Sequence, residues 1–354
     1  MQLNIQKVER DAKVELPKDL VFGTMFTDHM FEMDYNPEKG WHNATIKKYE
    51  DLKLNPAAMV FHYGQEIFEG LKAYRQPNGK IGLFRPEKNF ERMNVSAKRL
   101  CMPEFDVDFM VEALRKLVEL DRDWVPQYEG QSLYIRPFMI ATDPYVGVRA
   151  SYTYKLLIIC TPVGLYYPEG LKPVPIMVSE DYVRAVKKGV GFTKCGGNYA
   201  GGMIAQQQAK DAGYTQVLWL DAKEQKYVEE VGTMNFFAAF ENEIVTPELG
   251  GSILAGVTRM SAIDVLRDWG YKVTERSLEI NELYDADGKG TLKEMFGTGT
   301  AATISCVGKL QFGEKIIEVS KGEAGEISKR LYNEITGIQF GKVEDKFGWM
   351  NIID

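Results

Sequence analysis

A lysine between glycines is the feature of this sequence that points most directly to chemistry. Lys194 lies in the segment Gly189-Val-Gly-Phe-Thr-Lys194-Cys-Gly-Gly-Asn-Tyr199. The glycines remove side-chain bulk, so a flat molecule could lie against the backbone, and Tyr199 is near enough in sequence to reach it. A lysine whose pKa is lowered by burial or by a nearby positive charge forms a Schiff base with an aldehyde. A solvated lysine in a glycine-rich loop explains this segment equally well, so other residues must decide.

Pyridoxal phosphate is an aldehyde cofactor that also needs an acid for its ring nitrogen and donors for its phosphate. Glu230 interrupts a strand-like segment and could keep the pyridine nitrogen protonated, although a surface carboxylate is the commoner fate of a glutamate. Gly256-Val-Thr258-Arg259 runs into a helix, where unpaired N–H groups form an anion site, but Thr258 also suits a plain helix cap. Gly297-Thr-Gly-Thr-Ala-Ala302 offers further donors.

Three short motifs imitate other binding sites. Gly297 to Ala302 reads Gly-x-Gly-x-x-Ala, but only 52 residues follow it, too few for a dinucleotide-binding sheet. Gly189-x-Gly-x-x-Lys194 lacks the spacing of a phosphate-binding P-loop and the Ser or Thr that follows its lysine. Asp285-Ala-Asp-Gly-Lys-Gly290 imitates a calcium loop, yet Phe296 stands at the twelfth position, where a glutamate is needed.

The composition indicates a globular protein of about two domains, because 354 residues exceed one ordinary core. With 45% hydrophobic and 26% charged residues, the chain fits neither a disordered nor a membrane protein. The apolar run Leu156-Leu-Ile-Ile-Cys160 is strand-sized, and the N-terminus lacks the order of a signal peptide, so we expect a cytoplasmic location. A net charge of −7 argues against nucleic-acid binding.

The metal-ligating residue types are few and scattered, which argues against a metal site. The chain has three histidines and four cysteines, and no Cys-x-x-Cys motif. This pattern suits reduced thiols rather than a disulfide framework or a zinc site. The cysteines are Cys101, Cys160, Cys195 and Cys306.

The elements that must position these residues follow an α/β pattern. We predict an N-terminal domain over 1–163, a Gly- and Pro-punctuated connection over 164–174, and a larger domain over 175–354. The cofactor is expected in the cleft between the two domains. The hydrophobic periodicity predicts strands over Ile81–Phe84, Ser132–Arg136, Tyr154–Cys160, Val174–Val178, Gln216–Leu220, Tyr227–Phe240 and Ile244–Thr246, and helices over Glu87–Leu100, Val107–Asp123, Asn198–Asp211, Ser261–Trp269 and Glu323–Ile335.

Six motifs together resemble the branched-chain amino acid aminotransferases, and they occur in order between about Phe22 and Gly341. The resemblance implies a fold-type IV pyridoxal-phosphate enzyme of two α/β domains that works as a homodimer. It favours the Schiff-base interpretation of the lysine loop over the solvated one. The motifs are Phe68-Glu-Gly-Leu-Lys-Ala73, Leu83-Phe-Arg-Pro86, Tyr134-Ile-Arg-Pro137, Lys194-Cys-Gly-Gly-Asn-Tyr199, Glu230-Val-Gly-Thr-Met-Asn235 and Gly297-Thr-Gly-Thr-Ala301.

The resemblance also implies a role for each cofactor-binding residue. Lys194 would form the internal aldimine with the cofactor and later move a proton between the substrate Cα and the cofactor. Tyr199 would hydrogen-bond the phenolic oxygen, and Glu230 would pair with the ring nitrogen. Without the resemblance, Arg92 would pass for an exposed helix residue. The implied phosphate-binding residues are Arg92, Val257, Thr258 and Thr300.

The substrate pocket is implied in the same way, and it must accept both branched aliphatic side chains and glutamate. Arg136 would match the charge of the glutamate side chain, with Tyr63 nearby, and the Thr300–Ala301 backbone would hold the α-carboxylate. The partner subunit would contribute its own copies of Tyr63 and Val146. The aromatic members would be ordinary core residues on composition alone. The remaining implied pocket residues are Phe26, Phe68, Tyr134, Tyr166 and Thr233.

The reaction that the resemblance implies is a ping-pong transamination of leucine, isoleucine or valine with 2-oxoglutarate. A D-amino-acid aminotransferase or an aminodeoxychorismate lyase is the nearest rival, a non-catalytic pyridoxal-phosphate carrier is the rival from another class, and a nicotinamide-dependent oxidoreductase is a distant third. Mammalian members carry a Cys-x-x-Cys redox pair after the Gly-Thr-Ala motif. Here those positions are Ala302 and Ser305, so thiol regulation of that kind is not implied.

Overall fold

The structure, a computed structural model, describes residues 1–9, 14–165 and 170–354. The chain divides into two compact units. The first consists of Met1–Tyr166, Thr193–Gly196 and Gly337–Asp354, and the second of Tyr167–Phe192 and Gly197–Thr336. The predicted boundaries around 164–174 stay a prediction, and the compact units differ from them in two respects. The short segment that contains the lysine and the C-terminal segment both belong to the first unit.

Both units combine strands with helices. The strands are β1 (Asn4–Ile5), β2 (His29–Asn36), β3 (Gly40–Lys48), β4 (Glu66–Phe68), β5 (Leu71–Arg75), β6 (Ile81–Phe84), β7 (Ser132–Ala141), β8 (Tyr154–Val163), β9 (Val174–Val178), β10 (Gln216–Leu220), β11 (Val228–Val231), β12 (Met234–Phe240), β13 (Ile244–Thr246), β14 (Val273–Glu275), β15 (Leu292–Gly299), β16 (Thr303–Phe312), β17 (Lys315–Glu318) and β18 (Met350–Ile353). The α-helices are α1 (Met59–Tyr63), α2 (Pro86–Arg99), α3 (Val107–Leu120), α4 (Gly197–Ala200), α5 (Met203–Asp211), α6 (Val257–Asp268), α7 (Ile280–Gly288) and α8 (Glu326–Gln339).

A nine-stranded sheet forms the first unit, in the order β1-β3-β2-β8-β7-β5-β6-β18, with β4 paired to β7. Its strand pairs are antiparallel except β1–β3. The C-terminal strand β18 pairs with β6, which explains why the end of the chain belongs to this unit. β4 and β5 lie beside β7, so residues of the Phe68-Glu-Gly and Tyr134-Ile-Arg motifs become neighbours.

Two amphipathic helices cover apolar positions of the first unit. α3 begins at an Asp106 cap, whose side chain accepts a hydrogen bond from Phe109 N, and it buries Met110 and Leu114. α2 begins with a proline at its first position, where a missing N–H costs nothing. Asn89, on the buried side of α2, is three residues before Arg92, and residues so spaced share a helix face.

The second unit also contains a nine-stranded sheet, in the order β11-β10-β9-β16-β15-β12-β13-β14, with β17 paired to β16. An additional pairing joins β11 to β12, so six strands close into a ring. Ring closure removes free strand edges. A continuous apolar core includes Ile176, Leu218, Phe236 and Leu310.

Several predicted elements are confirmed. The strands Ile81–Phe84, Val174–Val178 and Gln216–Leu220 have the predicted bounds. The predicted helix that starts at Val107 is confirmed at that end, but it stops at Leu120 and a short 3-10 turn follows over Arg122–Trp124. No helix in the described part of the chain is long and apolar enough to cross a membrane.

Other predicted elements need correction. The predicted strand Tyr227–Phe240 is a hairpin of β11 and β12, because Gly232 turns the chain with a positive φ of 58°. The predicted helix Asn198–Asp211 is interrupted at Gly201 and Gly202, which separate α4 from α5. The segment that imitates a calcium loop, Asp285–Gly290, begins within α7. The helix predicted from Ser261 begins four residues earlier, at Val257, and the C-terminal helix runs over Glu326–Gln339.

Candidate active site

The backbone around Lys194 is held to the first unit at three points. Lys194 N donates a hydrogen bond to Ser96 Oγ on α2 at 3.0 Å, and Phe68 N donates to Lys194 O at 2.9 Å. Gly196 N donates to a carboxylate oxygen of Glu66 on β4. These contacts explain why a four-residue segment of the glycine-rich loop belongs to the first unit. They also fix where the lysine side chain starts.

The Lys194 side chain lies in an environment that favours its neutral form. Its Nζ is 4.8 Å from the centroid of the Phe68 ring. Burial, followed by the nearby guanidinium of Arg92, lowers the pKa of Lys194, while Glu69 and Tyr134 act in the opposite direction. An amine with a lowered pKa is neutral for more of the time at neutral pH, so it can attack a carbonyl carbon.

Arg92 forms a bidentate ion pair with Glu69. The Arg92 Nε and Nη2 atoms lie 2.8 and 2.7 Å from the two carboxylate oxygens of Glu69, which is fully buried. Asn89 Nδ2 and Gly70 N also donate to this carboxylate. Burial alone would raise the pKa of Glu69, but Arg92, Lys194 and Asn89 outweigh it and lower the pKa. Arg92, which the sequence assigns to a phosphate, is thus oriented by a carboxylate that sequence reasoning did not assign.

Arg136 on β7 is a second guanidinium in the same unit, and it lies among aromatic rings. Its Cζ is 4.7 Å from the Phe68 ring centroid and 5.4 Å from that of Tyr134, and its Nη2 donates to Tyr134 Oη at 3.1 Å. Within the described residues, its buried Nε has no hydrogen-bond partner. The structure therefore brings two predicted pocket residues, Phe68 and Tyr134, around a third, the Arg136 cation.

The other predicted pocket residues of the first unit lie in different surroundings. Tyr63, which is 39% exposed at the end of α1, donates through its hydroxyl to the carbonyl of Val146, which is 63% exposed. Phe26 stacks on Tyr49, with ring centroids 5.0 Å apart. Tyr166 lies outside the residues that the structure describes.

In the second unit, Glu230 is a buried carboxylate at the end of β11. Leu254 N donates to its Oε1 at 2.9 Å, and Arg184 Nε lies 3.3 Å from its Oε2. Both side chains are at most 8% exposed. The structure therefore excludes the interpretation of Glu230 as a solvated surface carboxylate.

The N-terminus of α6 includes Val257 and Thr258, which the resemblance implies for the phosphate. The N-cap residue of α6 is Gly256, which has no side chain, so within the described residues no N-cap side chain accepts a hydrogen bond from the first N–H groups of the helix. Asn235 Nδ2 donates to Leu254 O at 2.8 Å, close to this turn. Twelve residues of helix follow, enough for a dipole that favours an anion.

The remaining predicted residues of the second unit lie in turns or a short helix. Thr300 and Ala301 form the turn between β15 and β16, and Thr233 is exposed in the turn between β11 and β12. Tyr199 is half-buried in α4. In the described part of the chain, no three His, Cys, Asp or Glu side chains are grouped to hold a metal ion.

Sequence reasoning missed the partners of the charged site residues. Glu69 stands inside the Phe68-Glu-Gly motif but was given no role, because its pairing with Arg92 spans 23 residues and is visible only in the fold. Arg184 lies in none of the six motifs. Its place in the sequence, after a predicted strand and before the lysine loop, gives no indication that it meets Glu230.

Comparison with known proteins identifies relatives over most of the chain. The sequence model of the family described as "Amino-transferase class IV" matches residues 66–309. A "Branched-chain-amino-acid aminotransferase 2" of Bacillus subtilis (strain 168) is 56% identical over 333 residues, which cover 94% of this chain and 92% of that protein.

Solved structures show the same fold. The Escherichia coli branched-chain amino acid aminotransferase is 28% identical, with a TM-score of 0.77 and coverage of 93% of this chain and 100% of that one. The T.th. branched-chain amino acid aminotransferase complexed with N-(5'-phosphopyridoxyl)-L-glutamate is 26% identical, with a TM-score of 0.75 and coverage of 93% and 99%. The predicted two-domain fold-type IV architecture is therefore confirmed.

Proposed function

The chain belongs to the class IV aminotransferases, within the branched-chain amino acid aminotransferase family, and from this premise we propose that it transfers the amino group of leucine, isoleucine or valine to 2-oxoglutarate. The products are the branched-chain 2-oxo acid and glutamate, formed in a ping-pong cycle. The observation that carries the proposal is the Lys194 amine, which lies 4.8 Å from the Phe68 ring centroid and whose pKa is lowered by burial and by the charges of Arg92 and Arg136.

Pyridoxal phosphate fits the residues present. Lys194 supplies an amine of lowered pKa, Glu230 a buried carboxylate, and the N-terminus of α6 a set of backbone donors without a side-chain cap. When bound, the cofactor supplies an aldehyde that captures amino groups and a ring that takes up the electron pair of the substrate Cα–H bond. Tyr199 and Thr300 are proposed as its further hydrogen-bonding residues, with Arg92 at its phosphate.

Within this proposal, Lys194 has two tasks. Its neutral amine would hold the cofactor by its aldehyde carbon, and the same amine would accept the proton from the substrate Cα. Arg92 assists both tasks, because its positive charge disfavours a second positive charge on Lys194. Glu230 keeps the ring nitrogen protonated, which makes the ring a better electron acceptor.

The substrate side of the proposal depends on Arg136 and its rings. Phe68 and Tyr134 offer an apolar wall to a branched side chain, and the guanidinium matches the carboxylate of glutamate or 2-oxoglutarate. The buried Nε of Arg136, with no hydrogen-bond partner among the described residues, fits an incoming carboxylate. The T.th. relative is complexed with a phosphopyridoxyl group joined to L-glutamate, which supports glutamate as the second substrate. Phe26, Tyr166, Thr233 and Ala301 complete the proposed pocket.

We also propose that the active form is a homodimer, in which Tyr63 and Val146 approach the partner's site. The surface around them carries further exposed apolar side chains, including Tyr145 and Val148, the latter 87% exposed. Burial of such a patch against a second copy would remove apolar area from water. The cytoplasmic location stays a prediction from the sequence.

Replacement of the lysine tests the proposed function. Lys194→Ala should reduce turnover of leucine with 2-oxoglutarate by at least about 1,000-fold, because no other amine is proposed for the step. Lys155→Ala is the control, since Lys155 pairs with Glu32 and Asp34 in the same unit and should change turnover less than about threefold. Normal turnover by the Lys194→Ala variant would refute the proposed function. A substrate panel with D-alanine and aminodeoxychorismate separates it from its nearest rivals.

A further inference from the structure

Arg184 is an arginine of the second unit whose side chain is only 8% exposed and for which no role is predicted. It follows β9 and precedes the lysine loop in sequence. Its Nε lies 3.3 Å from Glu230 Oε2, without the alignment of a hydrogen bond. Because both side chains are almost fully buried, water screens this pair poorly, and the charge of Arg184 acts strongly on the carboxylate.

The guanidinium is fixed at its other end. Arg184 Nη2 donates to Gly191 O at 3.1 Å and also to Ser252 O. Gly191 cannot carry a side chain, because a Cβ would overlap Ala185 Cβ and the Ser252 carbonyl oxygen. The loop backbone at Gly191 and the segment at Ser252 thus hold the guanidinium in one place against Glu230.

Glu229 is a second carboxyl group near Arg184 and Glu230, and its protonation affects the net charge of these three residues. Its Oε1 accepts a hydrogen bond from Ser252 Oγ, and its buried Oε2 has no hydrogen-bond partner among the described residues. Burial raises the pKa of Glu229, although Ser252 and Arg184 act in the opposite direction. Glu230 itself contributes to this rise, so a negative charge on Glu229 is disfavoured beside it. The charge of Arg184 is closest to Glu230, whose Oε2 lies 3.3 Å from Arg184 Nε.

From this geometry we propose that Arg184 is a positioning residue, which holds Glu230 ionised and in place so that Glu230 can pair with the protonated ring nitrogen of pyridoxal phosphate. A positive charge beside a buried carboxylate favours the ionised form. A buried glutamate without this neighbour, and next to Glu229, would tend to take up a proton itself. It would then no longer keep the ring nitrogen protonated.

The inference rests on the proposed cofactor site, and two probes separate the two claims. One is pyridoxal phosphate, and the other is its analogue with C–H in place of the ring nitrogen. Both probes share the aldehyde, the phenolic oxygen and the phosphate, so the ratio of their dissociation constants isolates the ring-nitrogen contact. The ratio is measured by titration of the apoprotein at pH 7.5, for the wild type and for Arg184→Met, Arg184→Lys and Arg276→Met.

The wild type should prefer pyridoxal phosphate over the analogue, and Arg184→Met should lose about tenfold of this preference, which corresponds to one charge-assisted contact. The affinity for the analogue should change less than about threefold. Arg184→Lys keeps the charge and should recover most of the preference. Arg276→Met, which removes an arginine paired with Glu243 and Glu282 elsewhere in the unit, should leave the ratio unchanged.

Arg184→Gln replaces Arg184→Met if the latter fails to fold. If Arg184→Met weakened the binding of both probes equally, Arg184 would only support the local structure, and this would overturn the inference. An unchanged ratio, or an Arg184→Lys variant no better than Arg184→Met, would overturn it as well. If the wild-type apoprotein binds neither probe, the proposed cofactor site itself is wrong. A second readout is the preference for pyridoxal phosphate over the analogue in the Glu230→Gln variant. Adding Arg184→Met to this variant should lower that preference no further.

Discussion

Each unit of this protein places a buried glutamate against an arginine, but the two pairs are built differently. In the first unit, Glu69 receives two hydrogen bonds from Arg92, one from Asn89 and one from Gly70 N. In the second, Leu254 N donates a hydrogen bond to Glu230, and the Arg184 Nε faces this carboxylate without hydrogen-bond alignment. The first carboxylate fixes the geometry of its arginine. The second arginine instead acts through charge on its carboxylate, which we propose for the cofactor.

Because of this difference, we expect the loss of Glu69 and the loss of Glu230 to have different consequences. Loss of Glu69 should affect mainly the free energy of unfolding, because a buried guanidinium loses its anion. Loss of Glu230 should affect mainly the chemistry. The predictions below test this division, beginning with the largest expected effect.

Glu230→Gln should lower kcat for leucine by about 1,000-fold, because an uncharged amide cannot hold the ring nitrogen in its protonated form. The measurement is steady-state turnover of leucine with 2-oxoglutarate at saturating cofactor. Thermal unfolding of the apoprotein is measured beside it. Glutamine keeps the acceptor for Leu254 N, but Arg184 loses its anion, so the variant should also lose some stability, and folded protein must be confirmed at the assay temperature. A variant with kcat within tenfold of the wild type would contradict the assigned role.

Glu69→Gln should lower the free energy of unfolding of the apoprotein by about 3 kcal/mol at pH 7, because it breaks a buried ion pair from one side. The pKa of Glu69 is lowered in the folded state, so its stabilising contribution is present above the ordinary glutamate pKa and is lost as the pH falls. The difference between variant and wild type should therefore shrink in acid. Denaturant unfolding at several pH values measures it.

The matched control for Glu69 is Glu66→Gln on the neighbouring strand β4. Burial raises the pKa of Glu66, although Gly196 N–H and Arg136 act in the opposite direction, and glutamine can still accept the hydrogen bond from Gly196. Its effect at neutral pH should be below about 1 kcal/mol. If both variants were equally destabilised, the ion pair with Arg92 would not be the cause.

Arg136 is a third guanidinium to compare with Arg92 and Arg184. Among the described residues, no carboxylate forms a hydrogen bond with it. Its Nη2 donates to Tyr134 and its Nε has no hydrogen-bond partner there, so a substrate carboxylate is its proposed partner. The Arg136→Ala variant should lose about 100-fold in kcat/KM for glutamate and less than about tenfold for leucine. Equal losses for the two substrates would refute the division of roles.

Glu229→Gln should have the smallest effect. The raised pKa of Glu229 means that its carboxyl is protonated to higher pH than an ordinary glutamate, and glutamine resembles this neutral form. Below neutral pH, turnover should stay within about threefold of the wild type. Any difference should grow as the pH rises, because only the wild type then acquires a second negative charge beside Glu230. A large loss at low pH would contradict this account of the charges.

Much of the site follows from sequence because its motifs are local. The lysine loop, the start of α6 and the adjacent Tyr134 and Arg136 lie in continuous segments, and the structure keeps the last two in contact. Strands with continuous apolar runs, such as Gln216–Leu220, were also predictable. The resemblance implies both Lys194 and Phe68 for the site, and the structure places the Lys194 Nζ 4.8 Å from the Phe68 ring centroid.

The remainder depends on contacts between distant segments, which a sequence does not encode locally. Nothing near Arg184 indicates that it meets Glu230, 46 residues later in the numbering. Glu69 meets Arg92 only because β4 and α2 pack together. The hairpin at Gly232 was missed because apolar residues continue on both sides of the turn, so the hydrophobic pattern shows no break. The C-terminal strand joins β6 across most of the chain.

The most direct test of the account is to locate the covalent bond between protein and cofactor. The purified protein, saturated with pyridoxal phosphate, is reduced with borohydride, digested and analysed by peptide mass spectrometry. We predict a phosphopyridoxyl group on Lys194, which disappears when excess leucine is added before reduction, because the amino acid displaces the lysine amine. A label on another lysine, such as the buried Lys72, or a label on Lys194 that leucine does not remove, would contradict the account.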